Sequence, residues 1–252
     1  MSDPIGIIGG SGLTQLSNLE VTRRQVIRTP YGEASGALTF GRLNDRDVIF
    51  LARHGYGHTI PPHQVNYRAN LWALHAQRVR RIVSVASVGG IRADMGPGAI
   101  AVPHQILDYT WGRKHTLFEG PDQPVTHVDF THPYAESVRQ AIIAAAGQAG
   151  EPVVTDGVYA ATQGPRLETA AEIDRLERDG ATIVGMTGMP EAVIARELNV
   201  DYGAIAVVVN HAAGRGDSRH GIQLGDINAT LQEALARVRR ILEALVTIDG
   251  DS

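Results

Sequence analysis

The feature that most constrains this chain is a repeated alternation. Short apolar runs rich in Val and Ile are each followed by polar loops or by stretches with helical periodicity. Residues 4–8, 48–52, 81–88, 99–102, 153–160, 182–185 and 202–209 are predicted strands, because short β-branched runs bounded by turn residues suit strands better than helices. Helices are predicted over 65–77, 134–148, 168–178, 191–198 and 227–246. Val138, Ile142 and Ala145 share one face of the second of these, and Leu231, Leu235, Val238, Ile241, Leu242 and Leu245 share one side of the last. A stretch such as 204–209, apolar throughout, suits a strand covered on both faces. The pattern predicts the α/β class: a single-domain three-layer α/β/α sandwich around a mixed, largely parallel sheet. No linker, repeat or low-complexity segment divides residues 1–252, so one domain is expected.

Composition narrows the chemistry. Aromatic residues are only 5%, which leaves the core to Ile, Val, Leu and Ala. The formal net charge of −4 gives no reason to expect nucleic acid or an anionic membrane as partner. The absence of Cys excludes disulfides, thiolate nucleophiles and Cys-based metal sites. The opening Met1-Ser2-Asp3-Pro4 lacks the basic and apolar regions of a secretory signal. No run reaches the ~20 apolar residues of a membrane span, so the cytoplasm is the expected compartment.

Several motifs sit where strands end. Gly9-Gly10-Ser11-Gly12 follows the first strand directly. Its glycines can turn tightly and present N–H groups to an anion, with Ser11 adding a hydroxyl, although a plain turn would use the same residues. Gly6-Ile7-Ile8-Gly9-Gly10-Ser11 does not give the Gly-x-Gly-x-x-Gly spacing of a dinucleotide site. Arg53-His54-Gly55 offers a forked cation and a second donor to a phosphate oxyanion, or a surface ion pair. His54, His58 and His63 are spaced by four and then five residues through a Pro-Pro loop, which matches no tight ligand pattern, so no metal is expected. Ser84-Val85-Ala86-Ser87-Val88-Gly89-Gly90 leaves room for a ligand, or for close packing. Gly164-Pro165-Arg166-Leu167-Glu168-Thr169 sets a carboxylate at the head of a helix, where the dipole alone would favour it. In Gly185-Met186-Thr187-Gly188-Met189-Pro190-Glu191, Pro190 is placed in the first helical turn with the Thr187 hydroxyl at that helix end. Asn210 ends an aliphatic strand; it serves as a turn residue, or as an amide that donates and accepts side by side against a base edge. Together these motifs place polar groups at several strand ends, where α/β folds bind ligands.

Taken in order, these motifs resemble the trimeric purine nucleoside phosphorylases from about Ile5 to the final helix. His58-Thr59-Ile60-Pro61-Pro62-His63-Gln64-Val65-Asn66-Tyr67-Arg68-Ala69-Asn70 is similar to the methylthioadenosine phosphorylase branch. The resemblance implies phosphorolysis of a purine nucleoside by a homotrimer, with inorganic phosphate as co-substrate and no cofactor. It implies that Ser11, Arg53, His54, Ala86, Ser87 and Thr187 hold phosphate, and that Met186 contacts the ribose. Glu168, Asn210, His211 and Ala212 would line the base site, His127 would reach the 5′ end from a neighbouring subunit, and Ile222, Gln223 and Leu224 would line the 5′ pocket. Asn210, Glu168 and His54 are the expected catalytic residues. Two departures bear on substrate. Members acting on adenine carry Ser where this chain has Glu168, and Asp-x-Asp where it has Asn210-His211-Ala212. Glu and Asn at these positions are the pair of 6-oxopurine phosphorylases. The combination implies 5′-methylthioinosine as substrate, with inosine/guanosine phosphorylase and methylthioadenosine phosphorylase as alternatives. A nucleoside-binding protein without catalysis would have no need of the phosphate residues.

Overall fold

The computed structural model describes residues 3–14 and 16–248. After β1 (Ile5–Gly9) come β2 (Glu20–Gln25), β3 (Leu38–Leu43) and β4 (Arg46–Ala52), then α1 (Tyr67–Ala76) and β5 (Arg81–Gly90). Short strands β6 (Ile100–Ala101) and β7 (Gln105–Asp108) precede α2 (Glu136–Gln148), β8 (Val158–Ala161) and α3 (Ala170–Arg178). The chain continues through β9 (Ile183–Gly185), α4 (Gly188–Glu197), β10 (Asp201–His211) and α5 (Leu224–Ile248).

All these strands join one sheet, ordered β2-β3-β4-β1-β5-β9-β8-β7, with β10 paired to β5 and to β6. The pairings β1–β4, β1–β5, β5–β10, β7–β8 and β8–β9 are parallel; β2–β3, β3–β4, β5–β9 and β6–β10 are antiparallel. The sheet is mixed and mostly parallel. Its central strand β5 is shared: Arg81 to Ser84 lie between β1 and β10, while Gly89 and Gly90 carry β9 on one side and the end of β10 on the other.

Strand alternation sorts the core into layers. Ile5, Ile7, Val83, Val85, Ile205 and Val207 pack against Val138 and Ile142 of α2 and against the predicted stripe of α5. The alternate positions Ile8, Ile82, Ala206 and Val208 pack against Leu71 and Leu74 of α1 and Ile194 and Ala195 of α4. Ile173 and Leu176 of α3 close a third cluster over Ala160 and Val184. Helices therefore cover both faces of the sheet. No helix among the described residues is long and apolar enough to cross a membrane.

The structure corrects several boundaries. The predicted strand over 153–160 starts only at Val158, and Val154 makes an isolated bridge to Ala101. The helix predicted from Glu168 begins at Ala170, because Thr169 is its N-cap and closes a capping box with Glu172. Helix α4 starts at Gly188 rather than Glu191, with non-helical backbone at Met189. Strands β2, β3 and β7 were not expected. Every residue of β2 is exposed, so it carries no apolar alternation to reveal it.

Candidate active site

The ends of β1, β4, β5, β9 and β10 open on one cavity of about 580 Å³, closed on a further side by residues 58–62 and by Pro165, Leu167 and Glu168. Of the residues singled out from the sequence, Ser11, Arg53, His54, Ala86, Ser87, Glu168, Met186, Thr187, Asn210 and Ala212 line it.

At one end the turn after β1 approaches Arg53. A Cβ on Gly10 would lie 2.6 Å from the Val85 carbonyl oxygen and 2.9 Å from Arg53 Nη1, so only glycine lets the turn close on this cation. Arg53 is fully buried and is not a free donor. Its Nε donates to Glu191 Oε2 at 2.6 Å and its Nη2 to Glu191 Oε1 at 2.9 Å, a bidentate pair. Nη2 also donates to Ser84 Oγ at 2.6 Å, and Nη1 to the Val85 carbonyl at 3.0 Å. Four of the five guanidinium hydrogens are thereby engaged. The fifth, on Nη1, has no partner among the described residues, and Arg53 itself lines the cavity. Ser84 Oγ and Tyr202 Oη complete the shell by donating to Glu191 Oε1 at 2.7 and 2.8 Å. Burial opposes the charge on Arg53, but the Glu191 carboxylate outweighs it and raises the pKa.

His54 stands beside this cation. Its Nδ1 faces the Ile60 carbonyl at 2.8 Å, and a carbonyl only accepts, so Nδ1 carries the hydrogen. Burial, then the Arg53 charge, lowers its pKa to about 4. The ring is therefore neutral at pH 7, and Nε2 presents a lone pair. The sequence suggests a donor to phosphate here; the structure supplies an acceptor, suited to a P–OH or sugar hydroxyl. Ser11 Oγ lies 2.9 Å from His58 Nε2, which brings His58 into the site as well. Thr187 is the N-cap position of α4, yet its side chain makes no cap bond, and its N–H donates to Tyr159 Oη at 3.3 Å. Thr187 lines the cavity.

At the opposite end, Glu168 precedes α3 and is not part of it. Its Oε1 accepts from Thr162 Oγ1 at 2.6 Å, which fixes the carboxylate and leaves Oε2 without a partner among the described residues. Across from it, the β5–β10 register shifts between Val208 and Asn210. Such an irregularity re-aims a side chain, here Asn210, toward the site. Asn210 Nδ2 donates to the His211 carbonyl at 2.6 Å. Turning the amide over would oppose two oxygens, so Oδ1 is held as the available acceptor.

Three expected residues lie elsewhere. His211 follows Asn210 on a strand, so it points to the other face, where its Nδ1 accepts from the Asp217 N–H at 3.4 Å and its ring packs on Gly216. Ala212, back in phase, lines the cavity. Gln223 is exposed while its neighbour Ile222 lines the cavity; the side chain of Leu224 lies outside the described residues. His127 is exposed and does not border its own chain's cavity. Sequence reasoning missed Glu191, Ser84 and Tyr202 as the frame of Arg53, Thr162 as the support of Glu168, and His58. Glu191 and Ser84 stand inside motifs already noted, but nothing in their spacing reveals a partner 138 residues away.

The family model described as Phosphorylase superfamily matches residues 4–247. The chain belongs to the phosphorylase superfamily. Within that superfamily it is 50% identical to a Pseudomonas syringae pv. tomato protein named "Probable S-methyl-5'-thioinosine phosphorylase", covering 96% of this chain and 97% of that one. It is 46% identical to a Pyrococcus furiosus protein named "6-oxopurine nucleoside phosphorylase", over 83% of this chain and 80% of that one. Among solved structures, methylthioadenosine phosphorylase from Schistosoma mansoni in complex with adenine superposes with a TM-score of 0.94 at 31% identity, covering 100% of this chain and 93% of that one. The superfamily fold thus extends over the whole described chain.

Proposed function

We propose that this superfamily member is a purine nucleoside phosphorylase of the cytoplasm that cleaves S-methyl-5′-thioinosine, releasing hypoxanthine for purine salvage together with 5-methylthioribose 1-phosphate. The observation that carries the choice of base is the anchored Asn210 amide. Its fixed acceptor Oδ1 matches a 6-oxopurine protonated at N7 on departure, and its second N–H can donate to O6. Glu168, as a carboxylate, accepts from N1–H. A 6-aminopurine would set its N1 lone pair against that carboxylate, and mismatches of this kind cost a factor of ~10⁴ or more.

The reaction draws on no cofactor. A phosphate oxygen bonds to C1′ as the C1′–N9 bond breaks, and the bonding pair leaves with the purine, which gains at N7 the proton that hydrogen phosphate gives up. The sugar passes through an oxocarbenium-like state. The protein's work is to hold phosphate against C1′ with Ser11, Ser87, Thr187 and the remaining Arg53 N–H, and to stabilise charge on the leaving base. Ile60, Pro61, Pro62 and Ile222 supply apolar lining to the same cavity, which suits a thiomethyl group better than a hydroxyl.

A homotrimer is part of this reading, with His127 serving a neighbour's cavity. It is supported by Trp111 and Val125, large apolar side chains 71% and 83% exposed in the irregular segment before α2.

Initial rates with methylthioinosine, methylthioadenosine and inosine, each with and without phosphate, test the reading. Phosphate-dependent cleavage should be fastest for methylthioinosine, with inosine poorer by about 1–3 kcal/mol in transition-state binding. Equal efficiency on methylthioadenosine would overturn the choice of base. Equal efficiency on inosine would leave an ordinary 6-oxopurine phosphorylase, as the name of the Pyrococcus furiosus relative describes.

A further inference from the structure

Arg113 lies in the segment between β7 and α2, which has no regular structure, yet it is only 9% exposed. Its Nη1 donates to the carbonyls of Met186 at 2.8 Å and Met189 at 2.6 Å, and to Tyr67 Oη at 3.3 Å. Nη2 donates to the carbonyls of Thr162 at 3.2 Å and Gln163 at 2.8 Å, and Nε to Gln163 Oε1 at 3.2 Å. Every one of these acceptors is neutral. A buried guanidinium set against dipoles alone is a costly way to join two loops, and apolar packing would join them with less desolvation. A planar fork does what apolar packing cannot: it fixes two backbone segments at a defined spacing and angle.

Those two segments leave the paired strands β8 and β9, whose ends are already bonded where the Thr162 N–H donates to the Gly185 carbonyl at 2.8 Å; beyond that bond they carry different parts of the site. Thr162 and Gln163 open the loop to Glu168, and Thr162 itself holds that carboxylate. Residues 186–189 carry Met186 and Thr187. One terminal nitrogen of Arg113 serves each loop.

We propose that Arg113 is a positioning residue of the reaction: by bridging residues 162–163 and 186–189, it sets the separation between the group that holds the base and those that hold ribose and phosphate. The proposal rests on the functional reading above for which loop holds which part of the substrate. Arg113 touches no substrate, so its effect falls on alignment. Displacing a reacting group by about 1 Å can cost ~100-fold in rate.

The test uses the full chain with Arg113→Lys and Arg113→Ala. An ammonium is a point donor and cannot span both loops. Both variants should lose about 10- to 100-fold in kcat, while KM for phosphate moves less than about threefold, since of the phosphate holders only Thr187 lies in a loop that Arg113 bonds. Added ethylguanidinium should restore part of the kcat of Arg113→Ala, and ethylammonium should not. Hydrogen exchange gives a readout that needs no substrate: the amides of Thr162 and Thr187, one in each loop and bonded to the Gly185 carbonyl and to Tyr159 Oη, should lose protection together in Arg113→Lys. Protection lost from neither loop, or from one alone, overturns the proposal, as does a kcat within twofold of the parent. If the parent cleaves no purine nucleoside, the functional reading fails and the exchange measurement still decides whether Arg113 joins the loops.

Discussion

Arg53 joins two demands in one side chain, and they can be separated. Arg53 lines the cavity, yet its guanidinium gives three of its five hydrogens to Glu191 and Ser84 in the dry interior. Arg53→Ala should therefore cost about 3–5 kcal/mol of stability, because it strands the Glu191 carboxylate, quite apart from any loss of phosphate affinity. Adding Glu191→Gln should recover much of that stability, read from urea unfolding, and leave phosphate saturation as poor as before. Recovery of both would remove Arg53 from the phosphate end. His54 gives a second expectation. Its folded pKa, about 4, lies below the usual 6.5, so the unfolded chain binds the extra proton between those values. The contribution is complete above pH 6.5 and lost as pH falls toward 4, about 3 kcal/mol in all. His54→Gln should flatten that part of the stability–pH curve; an unchanged slope would contradict a neutral, buried ring. At this scale the sequence named most of the cavity wall, because strand-end motifs announce themselves. It could not assign donor and acceptor roles, since these depend on the Ile60 and His211 carbonyls and on Glu191, which only the fold brings near.

At the scale of elements, the regular helices were legible from their stripes: the expected face of α5 is buried from Leu231 to Leu245. What escaped was structure stabilised by pairing without an apolar face. Strand β2 is exposed throughout, and its alternation is replaced by Arg23 lying over the Phe40 ring. The start of α3 was misplaced because Glu168 looks like a first-turn acid, whereas the true first-turn acid is Glu172. That carboxylate accepts from Arg166 and from the Thr169 N–H, bonds that bring its pKa to about 2. The capping box therefore pins the chain one residue beyond Glu168. Thr169→Ala should lower stability by about 1 kcal/mol and raise KM for the nucleoside more than KM for phosphate. A variant whose two KM values rise equally would show that the cap does not bear on the base end.

For the whole molecule, the assembly is measurable. Light scattering should give a mass near three chains or a multiple of three, and replacing Trp111 with Glu should lower both mass and turnover. A monomer with full activity in dilute solution would refute the trimer and the role given to His127. The shared strand β5 has a last consequence. Gly89 and Gly90 bond to β9 and to the end of β10 at once, so the base end, the phosphate end and the centre of the sheet hang from one stretch of backbone. Such a chain has no way to let its catalytic apparatus melt while its architecture survives. Catalytic turnover should then behave as a thermometer of folding, its midpoint in heat or urea coinciding with that of far-ultraviolet circular dichroism, and destabilising changes far from the cavity should silence the protein by depleting the folded population rather than by dulling each molecule.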